Sequence, residues 1–184
     1  MAVTNPTVLM DGEAVRRAIE RMSKEILEKL GGTRDLVLMG IQRRGVHLAD
    51  RIGQAIEVAE GNAVSTGRLD ITLYRDDLQV VGPKPVVGES KLPARGVENQ
   101  SVVIVDDVLY TGRTARAALN ELMDWGRPSR ILLCVLVDRG DRELPIQPDI
   151  VGREFKVLGD KRVDVHVPEL DGELAVILSD RMPA

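Results

Sequence analysis

The stretch Val102-Val103-Ile104-Val105-Asp106-Asp107-Val108-Leu109-Tyr110-Thr111-Gly112-Arg113-Thr114 decides the fold. Its opening β-branched run reads as a strand buried on both faces, which favours a parallel sheet. Two carboxylates stand at the end of that strand. A Thr-Gly-Arg-Thr turn follows, and residues 115–125 then read as a helix. The turn and the helix N-terminus offer backbone N–H groups and hydroxyls to a phosphate. The acidic pair suits vicinal sugar hydroxyls or a hydrated Mg²⁺. One short segment can therefore hold a sugar phosphate at both ends. Neither a Walker-type lysine motif nor Gly-x-Gly-x-x-Gly competes with it.

This run resembles the phosphoribosyl diphosphate (PRPP) signature of type I phosphoribosyltransferases. The resemblance implies that Asp106 and Asp107 take the ribose hydroxyls and the Mg²⁺ bound with PRPP. It implies equally that Val108, Leu109, Tyr110, Thr111, Gly112, Arg113 and Thr114 form the phosphate-binding turn.

The rest of the composition is compatible. A chain of 184 residues is long enough for one well-buried α/β domain, spanning residues 1–184, and short for two. Aromatic residues make up only 2%, which argues against stacking platforms for single-stranded nucleic acid. A net charge of −4 means that any anion or RNA site must come from locally clustered base. The single cysteine, Cys134, lies within an apolar run and reads as a core thiol. No run approaches the length of a membrane span and no signal-peptide core opens the chain, so a soluble, cytoplasmic protein is expected.

Outside the signature, residues 1–10 read as an arm or edge strand. Val15, Ile19, Met22, Ile26 and Leu30 recur at helical spacing over residues 11–30, and Gly31-Gly32 stops the helix. Residues 35–39 read as a strand, 46–57 as a helix and 66–74 as a strand. Residues 79–96 hold three Pro and three Gly without periodicity and read as a hairpin or mobile loop. Residues 131–138 form another buried strand, and short strands at 149–151, 162–167 and 175–178 close the chain. Strands alternating with helices imply a parallel sheet with helices on both faces, whose ligands bind at the C-terminal strand ends. His47 and His166 lack a partner pattern and read as structural.

Further motifs follow the strands. Gly40-Ile41-Gln42-Arg43-Arg44-Gly45 places two guanidiniums, Arg43 and Arg44, at a strand end, where they suit a diphosphate. In the resembled family this loop often carries a cis non-proline peptide. Asp70-Ile71-Thr72-Leu73-Tyr74-Arg75-Asp76-Asp77 and Asp138-Arg139-Gly140-Asp141-Arg142-Glu143-Leu144-Pro145-Ile146 resemble one branch of the superfamily, the PyrR family of pyrimidine operon attenuation regulators that are also uracil phosphoribosyltransferases. Asp149-Ile150-Val151-Gly152 continues the match. The resemblance implies an α/β phosphoribosyltransferase fold with a parallel central sheet, a flexible hairpin lid and a small hood. It implies Arg75 acting with Asp106 and Asp107 in catalysis, the lid excluding water, and the base lying near Asp138, Arg139 and Val151. It also implies PRPP, uracil and UMP as ligands, a homodimer or higher homo-oligomer, and pyrimidine leader mRNA bound by Arg17, Arg21, Lys24, Arg142 and Arg153.

The chain departs from the pattern in two places. Residues 153–160 lack the Pro and Thr-Ser that relatives place near the pyrimidine. Glu20, Asp141 and Gln147 stand where Thr, His and Arg are usual, and each lost or reversed charge weakens phosphate neutralisation. The main reading is uracil phosphoribosyl transfer combined with RNA regulation. The alternatives are an RNA attenuator with little catalysis and a purine phosphoribosyltransferase, for which Phe155 is the one aromatic placed to cover a base.

Overall fold

The molecule is described from a computed structural model that covers residues 6–76, 88–157 and 161–180. The signature strand is β4, Ser101–Leu109, and it lies in the middle of a five-stranded parallel sheet. Its neighbours are β2 (Leu36–Ile41) on one side and β5 (Arg130–Asp138) on the other. Outside them lie β3 (Ser65–Leu69) and β6 (Ile150–Glu154), giving the order β3-β2-β4-β5-β6. Burial on both faces explains why β4 reads as an unbroken apolar run. Val103 and Val105 join one core, and Val102 and Ile104 join the other.

Helices α1 (Gly12–Leu30) and α2 (Arg44–Glu60) cover the first face. Helix α3 (Arg113–Asp124) covers the second. Asp11 caps α1 by accepting from the Ala14 N–H at 2.8 Å, and Gly31 closes the helix in the left-handed region. The buried stripe of α1 runs through Val15, Ile19, Met22 and Ile26, as the spacing predicts. Cys134 is fully buried in the same core, and burial pushes its thiol far above the ordinary range.

A second sheet is antiparallel, with the order β1-β8-β7. It joins the edge strand β1 (Thr7–Met10) to β7 (Lys161–His166) and β8 (Ala175–Asp180). The short helix α4 (Pro168–Asp171) links β7 to β8. Val163, Val165 and Val176 pack into the core of α1 and α2, so the small sheet sits on that face. His166 is structural in the expected sense, with Nδ1 2.9 Å from Glu173 Oε1.

Two expected boundaries need correction. The strand expected over residues 66–74 ends at Leu69, and Ile71–Tyr74 forms a 3-10 turn. Asp70 causes the break, because its carboxylate accepts from the Thr72 N–H at 2.9 Å and curls the chain. Of the hairpin expected over residues 79–96, residues 79–87 lie outside the described residues. Residues 88–96 run back along β3 instead: Lys91 and Arg68 exchange backbone hydrogen bonds of 2.9 Å, and Ser90 Oγ accepts from the Asp70 N–H at 2.7 Å. No described helix is long and apolar enough to cross a membrane.

The chain leaves β2 through α2 towards β3, but leaves β4 through α3 towards β5. The direction of winding therefore reverses between β2 and β4. A crevice opens at the C-terminal ends of these two strands, the usual ligand position in such sheets.

Candidate active site

The loop after β2 and the end of β4 meet backbone to backbone. The Gln42–Arg43 peptide is cis, as the resemblance implies for this loop. Gly45 lies so close to β4 that an added Cβ would stand 2.5 Å from Val105 O and 3.3 Å from Asp106 Cα. Only glycine fits there. Gly45→Ala should cost about 1–3 kcal/mol as the two segments are forced apart. It should also lower turnover by more than the stability loss alone explains. Chemical denaturation and steady-state rates on the same preparation check this pairing.

Asp106 is buried and Asp107 partly buried. Each accepts a hydrogen bond from the next backbone N–H: Asp107 N to Asp106 Oδ1 at 2.9 Å, and Val108 N to Asp107 Oδ1 at 2.8 Å. Burial, reinforced by the Asp107 carboxylate, raises Asp106 well above the usual range. Burial also raises Asp107, against the pull of the Val108 N–H and of Arg44. A cation or polarised hydroxyl placed here would relieve the repulsion. Among the described residues no three His, Cys, Asp or Glu side chains cluster for a metal. The donor set is thus two hard carboxylates, which fits a Mg²⁺ that draws its other ligands from substrate oxygens and water.

The turn beyond β4 opens directly into a helix. Gly112, at φ 92°, begins α3, and no side chain caps that N-terminus. The Arg113 N–H donates a long hydrogen bond of 3.4 Å to Thr111 Oγ1, at the positive end of the helix dipole. Residues 143–146 brace this turn from outside. The Glu143 and Leu144 N–H groups both donate to Thr111 O, at 2.9 and 3.1 Å. Gly112 also faces Leu144 and Ile146 closely, each Cβ 3.4 Å from the position a Gly112 Cβ would take.

The arginines expected at the ligand are mostly committed to protein partners. Arg43 is exposed. Arg44 forks onto Asp171 of α4, with Nη2 to Oδ1 at 2.7 Å and Nε to Oδ2 at 3.3 Å. Arg113 joins Asp76 and Glu143, each at 2.6 Å. Arg116, one turn along α3, adds a contact to Asp76 at 3.4 Å and donates to Tyr74 O. Arg75 is exposed at the end of the 3-10 turn, beside that cluster. Asp76 and Glu143 stand within quoted motifs but their pairing with Arg113 was not legible there, and Asp171 carried no signal beyond its charge, because each acquires its partner from a distant arginine.

At the end of β5, Asp138 accepts from the Gly140 N–H at 2.9 Å and pairs with Arg142 at 2.6 Å. Arg139 is buried, stacks 3.9 Å over the Tyr110 ring and donates to Lys161 O. These two residues lie at the C-terminal edge, as expected of the base subsite. Val151 pairs with Val135, which pairs with Asp106, so it stands level with the acidic pair, while the last pair of β5 with β6 is Asp138 with Glu154. Phe155 is partly buried, packs against the apolar core and receives Arg153 at 5.7 Å over its ring.

The expected RNA-binding residues divide. Arg17, Arg21 and Lys24 are exposed on α1 and Arg153 is exposed on β6. Arg21 also donates to the Val151 and Gly152 carbonyls, at 2.9 and 2.5 Å, which brings the helix and the strand onto one face. Arg142 is the exception and a correction. Its guanidinium donates to Ile146 O, Tyr110 O and Gly140 O as well as to Asp138, so it holds the turn together rather than facing solvent.

Comparison with known proteins agrees with this geometry. The phosphoribosyl transferase domain model matches residues 7–167. The bifunctional protein PyrR of Herpetosiphon aurantiacus is 54% identical over 166 residues, covering 90% of this chain and 92% of that protein. The bifunctional protein PyrR of Thermus thermophilus is 51% identical over 173 residues, covering 94% and 95%. A hypoxanthine-guanine phosphoribosyltransferase of Bacillus anthracis has the same fold, with a TM-score of 0.71 at 16% identity over 97% of this chain and 99% of that one. A hypoxanthine phosphoribosyltransferase of Trypanosoma cruzi gives 0.68 at 20% identity over 95% and 94%. With the crevice, the acidic pair and the braced phosphate turn in place, and with half the residues shared across almost the whole length of such relatives, this chain belongs to the phosphoribosyl transferase domain family and, within it, to the PyrR family.

Proposed function

We propose that this protein is a uracil phosphoribosyltransferase, forming UMP and diphosphate from uracil and PRPP, and that it also regulates pyrimidine operon transcription by binding leader mRNA. The observation that carries the enzymatic half is the contact of Gly45 with Asp106, which sets the cis-peptide loop, the acidic pair and the uncapped α3 N-terminus around one crevice. Thr111 to Thr114 would bind the 5-phosphate through backbone N–H groups and hydroxyls. Asp106 and Asp107 would hold the ribose hydroxyls, and Arg43 and Arg44 would face the diphosphate. Bound with PRPP, Mg²⁺ would neutralise the leaving diphosphate.

Displacement at ribose C1 separates charge, and the work of these residues is positioning and electrostatic stabilisation. Asp106 and Asp107 face a developing positive centre, and the arginines face a developing negative one. Arg75, close to the Asp76–Arg113 cluster, is the further cation assigned to the diphosphate. Asp138 and Arg139 frame the base at the end of β5. The inward packing of Phe155 disfavours a purine, which needs a broad stacking surface. Nucleotide formation from PRPP and uracil tests this half directly.

The regulatory half rests on the exposed face of Arg17, Arg21, Lys24 and Arg153. Exposed Glu20 dilutes that helix face, and Asp141 and Gln147 are exposed in the loop after β5. Asp141→His with Gln147→Arg should tighten binding to a pyrimidine-leader hairpin and steepen log K against log salt by about one unit for the added arginine. Filter binding across a salt series checks it. An unmodified protein that already binds steeply and does not respond to the substitutions would mean that these positions lie off the RNA.

A further inference from the structure

Arg44 connects two parts of the fold that lie far apart in sequence. It opens α2, one residue before the Gly45 contact with β4. Its guanidinium reaches α4, where Asp171 accepts from Nη2 at 2.7 Å and from Nε at 3.3 Å. The same carboxylate accepts from the Val167 N–H at 2.9 Å, so Asp171 is itself fixed. Alongside, Arg51 of α2 bonds Glu169 of α4 at 2.7 Å. The side chains of Arg44 and Asp171 are 32% and 17% exposed, which shields the pair from much of the solvent screening.

Several carboxylates surround Arg44, of which Asp164 is also paired with Arg162 at 2.6 Å. Asp171, Asp107 and Asp164 all act on this one guanidinium. An arginine held by a two-point fork is preoriented, and its planar group cannot swing between acceptors. Without that fork, Arg44 would be free to turn onto Asp107 and would no longer face an incoming diphosphate.

We infer that Asp171 is a positioning residue for the diphosphate subsite, holding the Arg44 guanidinium beside the acidic pair so that the subsite is complete only with α4 docked on α2. The inference rests on the PRPP reading of the crevice. It adds a residue outside every motif that suggested that reading, and it makes the small sheet part of substrate recognition.

Steady-state kinetics with PRPP and uracil test it. Asp171→Asn should raise KM for PRPP about tenfold, the scale of one charge-assisted hydrogen bond, and leave KM for uracil unchanged. Inhibition by diphosphate should weaken by a similar factor. Asp171→Glu should recover part of the loss. In an Arg44→Ala background, Asp171→Asn should add nothing further, because both changes remove one interaction. A purely structural role would lower the thermal midpoint and leave the PRPP dependence alone. A PRPP KM within about twofold of the unmodified protein, or fully additive effects with Arg44→Ala, overturns the inference. Calorimetric binding of PRPP with Mg²⁺ makes the same comparison without turnover. Unmodified protein that binds PRPP but forms no UMP overturns the uracil reading alone, and protein that binds no PRPP overturns both.

Discussion

Replacing both Asp106 and Asp107 by Asn should reduce nucleotide formation by roughly 10³-fold or more while the protein stays folded. The two carboxylates lie among the last residues of β4, shortly before Leu109, where the ribose and its metal would sit, and among the described residues no group of three or more His, Cys, Asp or Glu offers a metal site elsewhere. Their cost to the fold points the other way. Burial raises both, so the folded protein pays to keep charge there. Asn keeps the shape and still accepts the Asp107 and Val108 N–H hydrogen bonds. The thermal midpoint should therefore hold or rise while turnover collapses. Loss of both together would mean that the pair is structural, and retained turnover would remove it from the chemistry.

Arg142→Ala should lower stability by about 3 kcal/mol or more, because it leaves the Asp138 carboxylate in a protected site without its partner. The pair is 13% exposed on each side, and the lost guanidinium also bonds three carbonyl groups. For a chain of this length such a loss corresponds to a fall of roughly 6–12 °C in thermal midpoint. An arginine reserved for RNA would behave otherwise, since solvated surface changes usually stay within about 0.5 kcal/mol. Because Arg142 donates to Tyr110 O, PRPP affinity should fall as well. A stable variant with weakened RNA binding would restore Arg142 to the nucleic-acid face.

The sequence carried the central sheet and the crevice because their signals are local. An apolar run with a carboxylate pair and a Gly-containing turn can be read without knowing what packs above it. Helix α1 was legible for the same reason, its buried stripe being set by spacing alone. The break of β3 at Asp70 was missed because β propensity continues through Ile71-Thr72-Leu73-Tyr74, and one capping carboxylate overrides it. The level of Val151 beside Asp106 was not legible, because it is fixed only by the register of β6 on β5 and of β5 on β4. Arg142 was misread because a charge in a turn looks solvated until its acceptors are known. The Arg44–Asp171 fork spans 127 residues and leaves no periodic or local trace.

The arginine cases share a cause. Guanidiniums near an anion site can bind the anion, hold the loops that bind it, or balance the carboxylates around it. Arg113 illustrates the second use, joining Asp76 ahead of the return segment to Glu143 beyond β5. Its backbone N–H donates to Thr111 Oγ1 within the turn, so one residue ties the turn through two different groups.

The most direct measurement is nucleotide formation from PRPP and Mg²⁺ with uracil, hypoxanthine and guanine compared side by side. The account predicts UMP and diphosphate in equal amounts with uracil, and little product with either purine. Preference for hypoxanthine or guanine, or no product with any base while PRPP binds, would contradict it.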